Sequence, residues 1–396
     1  MASGALALQF KSTTGLCDLR ASNQSLLEGR TDTGGWHNRL YNMDLKTLSQ
    51  IRQTAQNGQG ISTRVHVQVE AVADKTTREG KPYCELTLAD ACDHMTLRVW
   101  SDHPDYRKCS ELRAEEFVEL TGDFHQSQQF GLEARKWTMR PLNEQEKNEL
   151  LQGPPDLRAR QAADWDFILR SVETIGDPRL HALCEALITE FGDRFRRTAA
   201  ARNYHHARRG GLVEHTAQMM RVGRAIAPLY PQLNVDLLIA GILFHDSGKL
   251  WENQLPENGF TMSYDERGEL MGHISIGLEL VNSIWRKLLA DLGEAWKNLS
   301  PASEDVRLHL LHLIGAHHGE IGFGSPVNPK TPEAMALHYI DNLDARLEMF
   351  AAGYTTARPL APRILDRVRP LPGNLVRPLE KFEEGSEKPK QDDQLL

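Results

Sequence analysis

The sequence predicts a multidomain protein in which an all-β barrel precedes an all-α helical bundle. Two observations carry this. Apolar and polar residues alternate in five short runs between Ile61 and Met139, the period of half-buried strands. Beyond Trp165 the apolar residues instead recur at the spacing of amphipathic helices. A polar stretch containing Gly153-Pro154-Pro155 separates the two regimes.

Residues 1–40 are rich in Gly, Ser, Thr and Ala without a sustained period and are expected to form a disordered extension, its end tacked down by Trp36 and Tyr41. Residues 41–142 form the first domain. Val65, Val67 and Val69, then Tyr83, Leu86 and Leu88, then Met95, Leu97 and Val99 make a meander, with turn signals at Glu79-Gly80-Lys81 and Ala91-Cys92-Asp93. A short helical stretch from Pro104 to Leu112 follows, and the runs Phe117 to Phe124 and Phe130 to Met139 complete five strands. Five strands with a helix between the third and fourth is the order of an OB-fold barrel. Such barrels lay single-stranded nucleic acid over strands two and three, stacking bases on aromatic rings between basic side chains. Lys81, Tyr83, Arg98 and Trp100 are the candidates, with Phe130, Arg135 and Trp137 beside them. Most aromatics in a small barrel are core residues, however, and the domain carries 13 basic against 15 acidic residues.

Residues 143–164 read as an interdomain linker. From 165 to 373 the period is helical. Within this part RFRRTAAARNYHHARRGG, Arg194 to Gly211, holds six arginines, a solvated basic face or a phosphate contact. Residues 374–396 form a charged tail, expected to be disordered.

Composition bounds the function. Apolar and charged fractions of 40% and 25% are those of an ordinary soluble protein. No apolar run approaches a membrane span and no basic flank leads into a long apolar core at the N-terminus, so no membrane partner and a cytoplasmic location are expected. The five cysteines form no CxxC pair, which argues against a disulfide framework or a zinc ribbon. A net charge of −8 excludes nucleic-acid binding by bulk positive charge and leaves only local contacts. Ten of the sixteen histidines lie between His205 and His338.

The chemistry concentrates there. GILFHDSGKL, Gly241 to Leu250, continues an apolar helical stripe capped by Asn234 into His245 and Asp246, and Gly248 reads as the helix stop that leaves Lys249 at the open end. His215 falls on the apolar stripe of the helix from Leu212 to Tyr230. His273 opens the helix after Gly272, and His317, beside His318, ends the stripe from Val306. Asp341 flanks the stripe of the helix from Pro332 to Phe350. A buried carboxylate is costly unless paired or bound to a metal. Five helices each delivering such a group suggest one buried polar centre. Imidazole and carboxylate donors suit Mn, Fe, Co, Ni or Zn, and seven groups exceed what one octahedral ion needs.

The order His215, His245-Asp246, Asp341 resembles the H…HD…D signature of the HD superfamily of metal-dependent phosphohydrolases, all-helical domains. The added His273 and His317-His318 resemble its two-metal branch. GGLVEHT, GILFHDSGK, GHISIG, AHHGEIGFGSPVNPKT and HYIDNLDAR are similar to motifs of the YhaM family of 3'-to-5' exoribonucleases, which carries an OB-fold ahead of the HD domain. The resemblance covers roughly Asp44 to Phe350. It implies that His215, His245, Asp246 and Asp341 hold one ion, that Asp246 bridges to a second held by His273, His317 and His318, and that an activated hydroxide attacks the terminal phosphodiester of single-stranded RNA; the sequence does not decide between single-stranded RNA alone and single-stranded DNA as well. Two divalent transition-metal ions are implied, manganese first, with cobalt, iron or nickel as alternatives. Lys249 would contact the phosphate or stabilise developing charge, and Arg208, Arg209, Ser325 and Lys330 are further phosphate or sugar candidates. His205 and His206 could line the cleft, whereas His309, His312 and His338 match no motif and are expected in the core or in support of the ligands. The competing functions are a phosphohydrolase of nucleotides or cyclic dinucleotides, weakened by the lack of a GYP triplet, and a non-catalytic nucleic-acid-binding adaptor. The oligomeric state has no sequence signal.

Overall fold

The structure, a computed structural model, describes residues 43–55, 60–127, 130–253 and 255–380. Trp36, Tyr41 and most of the charged tail lie outside these residues. All described residues fall in the compact unit Met43–Leu396.

A helix, α1 (Leu48–Ala55), precedes five strands: β1 (Ile61–Thr76), β2 (Pro82–Ala89), β3 (His94–Trp100), β4 (Phe117–Ser127) and β5 (Gly131–Pro141), with a short α2 (Tyr106–Ser110) between β3 and β4. The strands form one antiparallel sheet in the order β3-β2-β1-β4-β5, and the two edge strands β3 and β5 also approach one another. Alternation places Val65, Val67, Leu86, Leu88, Leu97, Val99 and Leu120 inside. The helix α1 is not expected from the sequence, yet its fully buried Leu48 and Ile51 join this core. Two apolar residues three apart on an eight-residue helix are too weak a pattern to stand out.

The expected linker is helical. It contains α3 (Glu144–Gln152) and the start of α4 (Pro155–Glu173). Asn143 and Glu146 form a capping box at the start of α3, and Pro155 takes the first position of α4, where its missing N–H costs nothing. The Gly-Pro-Pro triplet therefore supplies a two-residue joint, Gly153-Pro154, between helices.

The bundle continues through α5 (Pro178–Phe195), α6 (Gly211–Ile226), α7 (Val235–Phe244), α8 (Lys249–Glu252), α9 (Glu266–Trp296), α10 (Ser303–Ala316) and α11 (Pro332–Thr356). One apolar core runs from Ile168 to Ile340, and α7, packed by α5, α6, α10 and α11, is buried from Leu237 to Phe244. None of the described helices is long and apolar enough to cross a membrane. After α11 the chain forms a small sheet of β6 (Pro359–Ala361), β7 (Ile364–Leu365) and β8 (Leu375–Val376). The start of the expected tail is thus ordered by pairing with β7 and by packing of Leu365, Leu371 and Leu375 against the end of α11.

The sheet domain and the bundle meet at the β2–β3 turn, where Ala89 and Ala91 pack on Leu157 and Phe260. The Phe260 backbone N–H donates to Gln68 Oε1 at 2.6 Å across this buried seam.

Candidate metal centre

Two helices end on a histidine in the same way. His245 is the C-cap of α7 and His317 that of α10. Each ring's Nδ1 lies on the carbonyl three residues back, Ile242 O at 2.8 Å and Ile314 O at 2.7 Å. A carbonyl can only accept, so Nδ1 carries the hydrogen and Nε2 keeps its lone pair. The carbonyls used are among those a helix C-terminus leaves free, and the negative end of the helix dipole favours a cation beside them. His318 repeats the arrangement, with Nδ1 2.9 Å from Phe323 O.

The two remaining imidazoles are held by carboxylates. His215, fully buried on α6, donates Nδ1–H to Asp344 Oδ2 at 2.7 Å. His273 donates both Nδ1–H, at 2.7 Å, and its backbone N–H, at 3.0 Å, to Glu252 Oε2. His273 reaches that position because α9 breaks at Gly272, whose φ of 68° lies in the left-handed region open to glycine. Gly248 has a different reason from the one expected. Its backbone is helical, and a Cβ there would sit 1.9 Å from the carbonyl oxygen of His273, so the glycine permits close backbone contact and does not stop a helix.

These constraints turn Nε2 of His215, His245, His273 and His317 toward Asp246. Its Oδ2 lies 3.2 Å from His245 Nε2 and 3.8 Å from His215 Nε2, and its Oδ1 lies 3.6 Å from His273 Nε2 and 3.7 Å from His317 Nε2. Asp341 Oδ1 is 3.3 Å from His215 Nε2. Ligand atoms of His215, His245 and Asp246 all lie within 4.8 Å of one another, as do those of His273, His317 and His318. The seven residues singled out as metal-ligating are therefore brought together. Among the described residues, Nε2 of His215, His245, His273 and His317 and Oδ1 of Asp246 are buried without a hydrogen-bond partner. Such orphaned atoms each cost on the order of 1–3 kcal/mol. Divalent cations would satisfy them together, so the donor set fits a metal centre of nitrogen and oxygen ligands.

The electrostatics agree. Burial alone would raise Asp246, but the imidazole of His245 and the Lys249 ammonium outweigh it and hold the carboxyl well below its usual range. Burial likewise keeps the His317 and His318 rings below theirs, favouring the neutral ligand form. His215 is the exception: burial opposes protonation, yet Asp341 and Asp344 push it up to about 9. Lys249 stands 2.6 Å from Asp246 Oδ2 with its side chain largely covered, inside the centre and not at an open helix end.

Asp344 and Glu252 are not among the residues that the sequence singles out. Asp344 does have a signal, lying one turn beyond Asp341 in HYIDNLDAR, while Glu252 has none that separates it from a surface acid. Behind Asp344, His206 donates Nε2–H to its Oδ2 at 3.0 Å, so His206 supports the centre from within. His205 lies beside His215, with ring centres 5.7 Å apart, and burial followed by Lys249 lowers it to about 3. His338 donates Nδ1–H to the His317 carbonyl at 2.9 Å, and His312 Nε2 accepts from the Lys330 backbone at 2.9 Å.

Three of the four phosphate or sugar candidates near the centre have structural duties. Arg208 is tied to Glu214 and, at 2.9 Å, to Glu348. Arg209 donates to the carbonyls of Pro256, Glu257 and Gly259. The buried Ser325 hydroxyl donates to the carbonyls of Gly315 and Val327. Lys330 remains exposed. A second acid–histidine group in the sheet domain, His66, Glu119 and Glu146, is already satisfied, because Arg140 donates to both glutamates and Arg64 to Glu119.

On β2 and β3, Tyr83 pairs with Trp100 and Glu85 with Arg98, so the four sheet candidates share one outer face. Tyr83 and Trp100 rings are 5.0 Å apart, Lys81 lies 5.7 Å from the Trp100 ring and Arg98 4.7 Å from the exposed Phe130 ring. Trp137 is buried, stacked on His103 at 4.4 Å, and belongs to the core.

The HD domain family matches residues 212–346, the span from α6 to α11 that bears all seven ligand candidates. The chain is 33% identical to the 3'-5' exoribonuclease YhaM of Bacillus subtilis over 74% of its own length and 83% of the relative's. It is 31% identical to that of Bacillus velezensis over 74% and 83%, and 29% identical to that of Bacillus pumilus over 76% and 90%. With a helical HD domain behind a five-stranded sheet, and this identity across both, the chain belongs to the YhaM family.

Proposed function

We propose that this chain is a metal-dependent 3'-to-5' exoribonuclease that hydrolyses single-stranded RNA, with single-stranded DNA as a secondary substrate. The observation that carries the reading is the convergence of four buried, unpartnered imidazole nitrogens on the Asp246 carboxylate, those of His273 and His317 toward its unpartnered Oδ1 and those of His215 and His245 toward Oδ2. His215, His245, Asp246 and Asp341 would hold one divalent ion. His273, His317 and His318 would hold a second, with Asp246 between them. Manganese leads, with cobalt, iron or nickel compatible with the same donors. Ions bound there would supply Lewis acidity at the scissile phosphate and neutralise developing charge.

The charge around the centre supports two ions. Asp246, Asp341, Asp344 and Glu252 bring four negative charges, and Lys249 returns one. With neutral imidazoles, two dications and one phosphodiester bring the assembly to neutrality, whereas one ion leaves it negative and repels the substrate. Asp344 and Glu252 fix the ring orientations of His215 and His273, and Lys249 keeps an ammonium beside the Asp246 carboxylate.

RNA is favoured over nucleotides by the sheet domain. Its strand order, the helix between β3 and β4 and the approach of β3 to β5 fit an OB-fold, and the Tyr83–Trp100 pair flanked by Lys81 and Arg98 offers rings for bases and cations for phosphates. The test is a ladder assay. With Mn²⁺, a 5'-labelled oligoribonucleotide should shorten stepwise while a 3'-labelled one releases labelled mononucleotide at once, and Asp246→Ala should abolish both. Preferential hydrolysis of free nucleotides, or undiminished turnover by the variant, would overturn the proposal.

A further inference from the structure

The arginine-rich stretch singled out in the sequence is not absorbed by the metal centre. Arg208 and Arg209 are tied down, but Arg196 and Arg197, at the end of α5, face a cleft of about 460 Å³ at the seam between the sheet domain and the bundle. Arg158 of α4 and Arg209 complete four guanidinium groups around it, and Asp193 is the lone carboxylate among the lining residues. Among the described residues Arg158 bonds only the neutral Gln152, at 2.6 Å, and Arg196 has no ion pair, lying 6.0 Å from the Trp165 ring. Arg197 approaches the exposed Glu257 at 3.5 Å, and its Nε is buried without a partner. Burial, with Arg197 adding to it, lowers Arg209, so the cations here are gathered against their own repulsion. Such clustering is maintained at a cost unless an anion compensates it.

We infer that this cleft binds internal phosphates of the single strand upstream of the cleaved 3' end, as a second anchor separate from the sheet's aromatic face. The inference rests on the exoribonuclease reading and names a subsite of it. Placement supports it. Ala91, in the β2–β3 turn, lines the cleft, whereas Tyr83 and Trp100 lie at the opposite end of the same hairpin. Seven or so residues of strand, roughly 3.3 Å each, put about 20 Å between the two. A strand several nucleotides long can touch both, and a dinucleotide cannot. Guanidinium forks suit phosphate oxygens, and the pairing is independent of base sequence, as an exonuclease that shortens strands of any sequence needs.

The test uses the full chain with Arg158→Gln and Arg196→Gln combined, both positions being exposed and free of the metal centre. Fluorescence anisotropy of a labelled 24-nucleotide RNA, in chelator to prevent hydrolysis, reads binding, and initial rates with Mn²⁺ read turnover of the 24-mer and of a diribonucleotide. Expected are a roughly 10- to 100-fold weaker 24-mer affinity, unchanged diribonucleotide turnover, and a slope of log affinity against log salt smaller by about 1.4, from about 0.7 per phosphate contact on a single strand. A 24-mer affinity within twofold of wild type, or equal losses on both substrates, overturns the inference. So does a response of wild-type turnover to inorganic phosphate or AMP that the variant loses while its 24-mer affinity stays intact, since the cleft would then serve a free ligand. If wild type shortens no RNA, the exoribonuclease reading fails, and the anisotropy result still decides whether the cleft binds a strand.

Discussion

Asp344→Asn removes one charge and almost no volume at the carboxylate that holds His215. Asp344 Oδ2 accepts from His215 Nδ1 at 2.7 Å and from His206 Nε2 at 3.0 Å. An amide oxygen can still accept one of these bonds, so the fold should persist while ring orientation and basicity suffer. Replacing a partner that orients a ligating histidine costs 10- to 100-fold in metal affinity or activity, or about 1.4–2.7 kcal/mol. The pH dependence sharpens the test. Without metal, His215 has a folded-state pKa raised from 6.5 to about 9, burial being outweighed by Asp341 and Asp344. Its contribution to stability is therefore fully present below about 6.5 and lost as pH rises through about 9. A metal must displace that proton, so wild-type metal affinity should climb with pH up to about 9. In the variant the proton leaves at lower pH, so the climb flattens and the deficit is larger at pH 9 than at pH 7. Calorimetric titration of Mn²⁺ into chelator-stripped protein at both values, with melting curves as a folding control, measures this. Equal affinities and equal pH slopes for the two proteins would refute the role given to Asp344.

Gly248→Ala should be severe: with a Cβ 1.9 Å from the His273 carbonyl oxygen, backbone must move, costing about 1–3 kcal/mol or more, and melting together with metal stoichiometry would show both stability and the centre impaired. Manganese at about 100 times its Kd should stabilise the stripped wild-type protein by about 2.7 kcal/mol, and a melting curve indifferent to metal would contradict the centre. Trp100→Ala should weaken RNA binding by about 1–3 kcal/mol in an anisotropy assay while sparing diribonucleotide turnover. For Glu214, burial is outweighed by His206 and Arg208, which hold it down at about 2; its contribution to stability is present above about 4.5 and should fade as pH falls toward 2, a slope that a melting series on Glu214→Gln should lack.

The candidate ligands stood out in the sequence because each falls on or beside an apolar helical stripe. His215, His245 and His317 continue apolar stripes that a polar group would otherwise leave, and the structure buries them. The five strands were legible from alternation and their turns. What the sequence concealed depends on contacts distant along the chain. Glu252 becomes significant only because the kink at Gly272 brings His273 to it, 21 residues on, and the Gly248 requirement arises from the backbone of that same histidine. Arg208 and Arg209 misled for a related reason: a basic run shows its charge but not its partners, and Glu214, Glu348 and the 256–259 carbonyls consume both residues.

The means of holding the histidines divides along the same line. His245, His317 and His318 are oriented by backbone carbonyls within five residues, so their geometry comes with the local helix end. His215 and His273 are oriented by carboxylates that arrive from other parts of the chain, so theirs exists only once the bundle has closed. A carbonyl carries no net charge to offset burial, and burial keeps the His317 and His318 rings below their usual range. A carboxylate makes its imidazole a stronger donor and, without metal, a stronger base, as at His215. Substitution at Asp344 should therefore change metal affinity and its pH dependence together, whereas disturbing the helix end at Ile314 should displace His317 without altering that pH dependence.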